Sequence, residues 1–170
     1  MALAVVALPG FALAANECGP ASTATNPQVA SCTGAFNPYA GGISYDESSV
    51  PPVNRGNLQV KVTPTVTEVT GVTGVTAKGV SNFGADVLIQ SGASIKAGAE
   101  GARAFTPGNG TASIENSGAV TAATNGLDAI STGGTASITN ASGASVTVSG
   151  ASASAGATAT GASSSVANAG

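Results

Sequence analysis

Apolar positions in this chain recur at short intervals and then at one long interval. In "NLQVKV", Leu58, Val60 and Val62 alternate with Gln59 and Lys61. Alternation with period two over β-branched residues predicts a strand with one buried face. Pro64, Gly71 and Gly74 punctuate the stretch after Val62. No helical periodicity appears after the first residues, and abundant Gly, Ser and Thr oppose a helix in any case.

The long interval emerges by subtraction. Val80, Phe105 and Ile130 are separated by 25 and 25 residues; Ile89, Ile114, Ile138 and Val166 by 25, 24 and 28; Ile95, Val120 and Val146 by 25 and 26. The stretch "TASIENSGAV" at Thr111 returns as "TASITNASGASV" at Thr135. Three apolar families on one period predict units of three short strands separated by turns. Such a unit cannot bury its own apolar row and must stack it on the next. The expected fold is all-β, a parallel β-helix with coils of about 25 residues rising about 4.8 Å each. Its inward rows are expected to be Val80, Phe105 and Ile130 on one wall, Ile89, Ile114, Ile138 and Val166 on a second, and Ile95, Val120 and Val146 on the third.

Polar positions share the period. Ser91, Asn116, Asn140 and Asn168 stand two places after the second row, each with a Gly close behind. Asn tolerates turn backbone and bonds to its counterpart above and below, so these four predict a turn ladder. Arg103 in "GARAF" and Asp128 in "GLDAI" occupy equivalent places and predict a surface pair, worth at most about 1 kcal/mol.

The flanks differ from this pattern. Residues 1–15 carry an apolar run followed by small residues and read as a secretory signal peptide; the run is too short for a membrane span and Pro9-Gly10 breaks it. A basic n-region is missing, which suggests a true start further upstream. Residues 16–54 are rich in Pro, Gly, Asn and Ser and read as a loop-rich N-terminal cap with one short strand around Ile43. The β-helix repeats are assigned to 55–150. An Ala/Ser/Gly-rich final coil, 151–170, stops in mid-unit and reads as truncated.

Composition bears on packing and partners. Apolar residues make up 42% of the 170, but aromatics only 4%, so Ala dominates and a conventional globular core would be poorly filled. Charged residues are 8% and the net charge is −3. Neither nucleic acid nor anionic lipid would be attracted by such a field. Export makes a Cys18–Cys32 disulfide the favoured reading. A lipidated Cys18 would need small residues directly before it, where Asn16 and Glu17 stand. A metal site would need more than two thiolates, and the chain has no His.

With "ECGP" behind the signal, "SCTGAFNPYAGGISY" and then repeats of the type "TASIENSGAVTA", the chain resembles the N-terminal passenger region of bacterial autotransporters, the type V secretion proteins. The resemblance spans the whole chain and rests on composition more than on any single motif. It implies a right-handed β-helix, display at the cell surface or release, contact with host or other cells, and a translocator barrel in the full-length protein. This segment would not itself insert into a membrane.

Candidate chemistry is sparse. Without His there is no Ser-His-Asp triad. The carboxylates Asp86, Glu100, Glu115 and Asp128, with Lys96 and Arg103, are scattered through the repeats, so catalysis is not expected and no cofactor or metal is implied. The expected function is that of a structural stalk or adhesin. The alternative is the N-terminal part of a secreted β-helical lyase or glycosidase whose site lies beyond residue 170.

Overall fold

The computed structural model describes residues 17–19, 21, 27–47, 56–150 and 155–169. The signal segment 1–15, Pro20 of "ECGP" and the terminal Gly170 lie outside the described residues. The chain is a parallel β-solenoid of about 5 turns, with equivalent positions about 27 residues apart.

Each coil crosses three walls in the same order. The first has strand β1 (Gln28–Cys32), a short 3-10 turn at Gly34–Phe36, a single bridge residue Tyr39, and β2 (Ile43–Asp46). The second has β3 (Leu58–Val62), the bridge residue Val69 and β4 (Thr73–Lys78). Coils three to five each supply three strands. These are β5 (Ala85–Ile89), β6 (Ser94–Lys96) and β7 (Glu100–Thr106); β8 (Ala112–Asn116), β9 (Ala119–Ala122) and β10 (Asn125–Ser131); and β11 (Thr135–Asn140), β12 (Ser145–Val148) and β13 (Ala155–Thr160). Strand β14 (Ser163–Asn168) opens a sixth turn.

Stacking sorts these strands into a six-stranded wall, β1-β3-β5-β8-β11-β14, a five-stranded wall, β2-β4-β7-β10-β13, and a short wall, β6-β9-β12. Bridges Tyr39 to Val69 and Val69 to Ile95 extend the short wall downward. Every strand pair is parallel. Segment 16–54 is therefore more than loops, since its described residues supply β1, the bridge residue Tyr39 and β2, one to each wall. Strand β1 escapes detection because "QVASC" carries only one large apolar residue, Val29, and that residue faces outward.

The interior is built from rows of like residues. Along the six-stranded wall Ala30, Val60, Val87, Ile114 and Ile138 stack, all at most 1% exposed. Along the short wall run Val69, Ile95 and Val120, fully buried, with Val146 packed against them. The five-stranded wall contributes Val75, Ala102 and Leu127 in one row and Ala77, Ala104 and Ala129 in the next, all fully buried. At its entry Gly74, Gly101 and Gly126 fall at equivalent places. A Cβ on each would collide with Ile95, Val120 and Val146 respectively, the short-wall residue of the coil above. Only hydrogen at these corners lets the three walls close on so narrow a core.

Several expected positions are corrected. Phe105 and Ile130 are register partners, but they point outward; the inward residues of their strands are Ala104 and Ala129, and strand alternation puts their neighbours outside. Val80 is not in their row, which continues to Lys78; Val80 is buried in the turn after β4. Ile89 is buried but is stacked on Asn116, whereas Val87 is the partner of Ile114. The corner from Ile89 to Ile95 is two residues longer than that from Asn116 to Val120, so a constant period misplaces the strand before it. Ser91 lies exposed in that longer corner and takes no part in the ladder. Val166 is in register with Ile138 yet 50% exposed, because no described strand covers β14 on its far side.

Candidate interaction groove on the five-stranded wall

This wall turns the small row Ala77, Ala104 and Ala129 inward, beside Val75 and Leu127, and its charged residues stand outside with Phe105 and Ile130. Three outward rows lie side by side: Thr73, Glu100 and Asn125; Thr76, Arg103 and Asp128; Lys78, Phe105 and Ile130. Thr73, Thr76, Lys78, Glu100, Arg103 and Phe105 line a groove of roughly 280 Å³. It spans two successive coils, so its length is set by the stacking of β4 on β7.

Charge in the groove is arranged in pairs. Lys78 Nζ donates to Asp46 Oδ2 at 2.8 Å, one coil below. Arg103 lies between two carboxylates, with Nη1 at 3.5 Å from Glu100 Oε2 and Nε at 3.7 Å from Asp128 Oδ2. Its guanidinium also lies over the Phe105 ring, 5.9 Å from the centroid, near the outer limit of a cation–π contact. Burial pushes the Asp128 carboxyl above its ordinary range; Arg103 offsets part of this and Glu100 adds to it. Sequence reasoning paired Arg103 with Asp128 but missed Glu100 and the ring, because it had turned Phe105 inward.

The other expected polar residues serve the scaffold. Asn116 Nδ2 donates to Asn140 Oδ1 at 2.7 Å, and Asn140 Nδ2 to Asn168 Oδ1 at 2.9 Å. Asn116 Oδ1 also accepts from Gly118 N at 3.1 Å, which fixes the corner. Asn116 and Asn140 are buried, so this is an interior ladder as much as a turn ladder. Two hydroxyls make a second axial device: Thr106 Oγ1 donates to Phe83 O at 3.0 Å, and Ser131 Oγ to Gly110 O at 2.7 Å.

At the N-terminal end a Cys18–Cys32 disulfide joins the first residues to β1, with a Cα–Cα distance of 4.8 Å. Residues 17–19 then lie against β2. Ser44 N donates to Glu17 Oε2 at 2.9 Å, Cys18 N to Tyr45 Oη at 3.1 Å, and Tyr45 Oη to Gly19 O at 2.6 Å. Burial pushes the Tyr45 phenol up to about 12, against the lowering effect of the Cys18 amide, so it stays a neutral donor.

Among the described residues no group of three or more Cys, Asp or Glu could hold a metal ion, and no helix is long and apolar enough to cross a membrane. Comparison with known proteins finds no family model, no characterised protein and no solved structure that matches the chain. In the groove a guanidinium, an ammonium, a carboxylate and two hydroxyls surround a partly buried ring, groups that can hydrogen-bond and pack against a ligand.

Proposed function

We propose that the chain is a segment of an exported, surface-displayed autotransporter passenger that acts as a stalk or adhesin and not as an enzyme. The observation that carries this reading is the regular solenoid stapled at its N-terminal end by a cystine. A disulfide suits an oxidising compartment outside the cytoplasm. A stack of near-identical coils supplies length and a repeated outer surface, which suits a spacer or a contact face. The expected translocator barrel belongs to the full-length protein, and partners are host or other cell surfaces.

The test is display in intact cells. An epitope inserted in the exposed corner at Gly143 of the full-length protein should be labelled by antibody on unpermeabilised cells and removed by added protease. Labelling only after the envelope is opened would refute surface display. Hydrolysis or elimination of a polysaccharide by the purified chain would refute the non-catalytic half of the reading.

A further inference from the structure

The groove on the five-stranded wall has features that narrow its ligand. Lys78 is neutralised by Asp46, and Arg103 stands between Glu100 and Asp128. The lining holds two cations and Glu100, and with Asp46 and Asp128 beside it the two cations meet three carboxylates, so no positive excess remains, on a chain whose net charge is −3. A polyanion would be repelled, and a polycation would have to displace two cations already in place. The groove suits a neutral ligand.

That ligand must also use what the groove offers. Arg103 presents five N–H donors in a fixed fork, yet its carboxylate contacts, at 3.5 and 3.7 Å, are longer than the about 2.7–2.9 Å of a close charge-assisted bond. The guanidinium is loosely held, so a hydroxyl can enter between it and either carboxylate. Glu100 supplies acceptors, and Thr73 and Thr76 on the coil below line the same groove with groups that donate and accept. Phe105 adds a ring that is partly exposed beside them. A group rich in hydroxyls on one edge and C–H bonds on its face satisfies all of these, and a sugar ring is such a group.

We propose that this groove binds a neutral saccharide chain, with Arg103 and Glu100 hydrogen-bonding its hydroxyls, Phe105 packing against a sugar face, and Thr73 and Thr76 engaging the next unit. This deepens the adhesin reading by naming the ligand class. It is tested on the purified chain, so it fails or survives separately from surface display.

The probes are neutral tetrasaccharides of glucose, mannose and N-acetylglucosamine, with a tetragalacturonate and a tetralysine peptide as charged comparators, titrated by NMR. At least one neutral tetrasaccharide should shift the amides of β4 and β7 and spare those of β8 and β11. Phe105→Ala and Arg103→Gln should each weaken it roughly tenfold or more, with unchanged circular dichroism. Thr76→Val, which keeps shape and β-branching, gives a second reading should Arg103→Gln fold poorly. Binding of only the tetragalacturonate or the peptide, binding that ignores these substitutions, or no binding by any neutral probe would overturn the proposal.

Discussion

The six-stranded and five-stranded walls enclose the same core but differ in the rows they turn toward it and away from it. On the first, Val60, Val87, Ile114 and Ile138 point inward while the outward rows are largely polar, as in Gln59, Asp86, Ser113 and Ser137. On the second, the inward row of Ala77, Ala104 and Ala129 is small, the inward row beside it carries Val75, Ala102 and Leu127, and Phe105 and Ile130 stand outside. A narrow interior admits large side chains from one wall only where the facing wall is small. The longest row of large aliphatic side chains is therefore the six-stranded wall's interior, and the candidate ligand face is the five-stranded wall's exterior.

The strongest way to break this division is a charge in the aliphatic row. Ile114→Asp places a carboxylate among Val87 and Ile138, in a fully buried position with no cation beside it in the row. Burying an unpaired charge costs more than a domain of this kind can absorb. The variant is expected to lose its cooperative thermal transition by circular dichroism, and wild-type melting would contradict the inward assignment.

Reversing the sizes is the next test. Ala104→Ile adds bulk where the five-stranded wall must stay small, and overpacking should cost about 1–3 kcal/mol in urea denaturation. The same bulk at Thr139, outward and exposed on the six-stranded wall, should change stability by no more than about 0.5 kcal/mol. Equal effects at the two positions would mean that the walls are not divided as described.

The polar ladder tests whether the six-stranded wall depends on apolar stacking alone. Asn140→Ala deprives the buried Asn116 Nδ2 of its 2.7 Å acceptor, leaving the 3.5 Å contact to Ser145 O, and takes one donor from the exposed Asn168 Oδ1. Taking its short hydrogen bond from one buried amide costs about 1 kcal/mol. Amide exchange should accelerate first in β8, β11 and β14, because those three strands share the ladder.

How much of this was legible in the sequence depended on which wall a residue belonged to. The period of Ile114 and Ile138, and of Ile95, Val120 and Val146, identified stacked parallel coils because the six-stranded and short walls place their bulky residues inward at those positions. Asn116, Asn140 and Asn168 were legible for the same reason, since like side chains at one register bond to each other. Phe105 and Ile130 misled because a constant spacing shows that residues stack without showing on which face. The parity had to be read from the alternate residues of the same strands: Ala102 and Ala104, then Leu127 and Ala129. The displaced register at Ile89 arose in a corner whose length differs from the next coil's, a change that apolar spacing cannot separate from a change in strand position. The groove depends on the same parity, so missing it and inverting Phe105 were one error.

Stability should hardly register the loss of that ring. A buried Phe replaced by Ala costs about 3–5 kcal/mol, whereas an outward cross-strand pair such as Phe105 with Ile130 contributes no more than about 1 kcal/mol. Phe105→Ala should therefore melt within a few degrees of wild type while losing saccharide binding. A loss of several kcal/mol would return Phe105 to the interior and remove the groove.

The smallest expected effect compares one carboxylate on each wall, Asp86 partly buried and Asp128 buried. Asp86, outward on β5, has its carboxyl pushed above the ordinary 3.8 by burial, with Ser113 lowering it and Glu115 raising it. Asp128, on β10, is raised by burial but held back by Arg103. An acid whose folded pKa exceeds its unfolded one binds more protons when folded. Its favourable contribution is thus fully present below 3.8 and lost as pH rises through the folded value. Acidification from neutrality toward 3.8 should gain stability from Asp86, opposite in sign to ordinary acid denaturation. Asp86→Asn keeps an acceptor for the Ser113 hydroxyl, which lies at 2.6 Å, and removes the charge, so melting at neutral pH should rise and this part of the pH dependence should flatten. Asp128→Asn removes a charge paired with Arg103 as well as a buried one, so its gain at neutral pH should be smaller. Equal gains in thermal melts of the two variants would show that Arg103 contributes nothing to Asp128, leaving the guanidinium of the five-stranded wall to Glu100 and the ring alone.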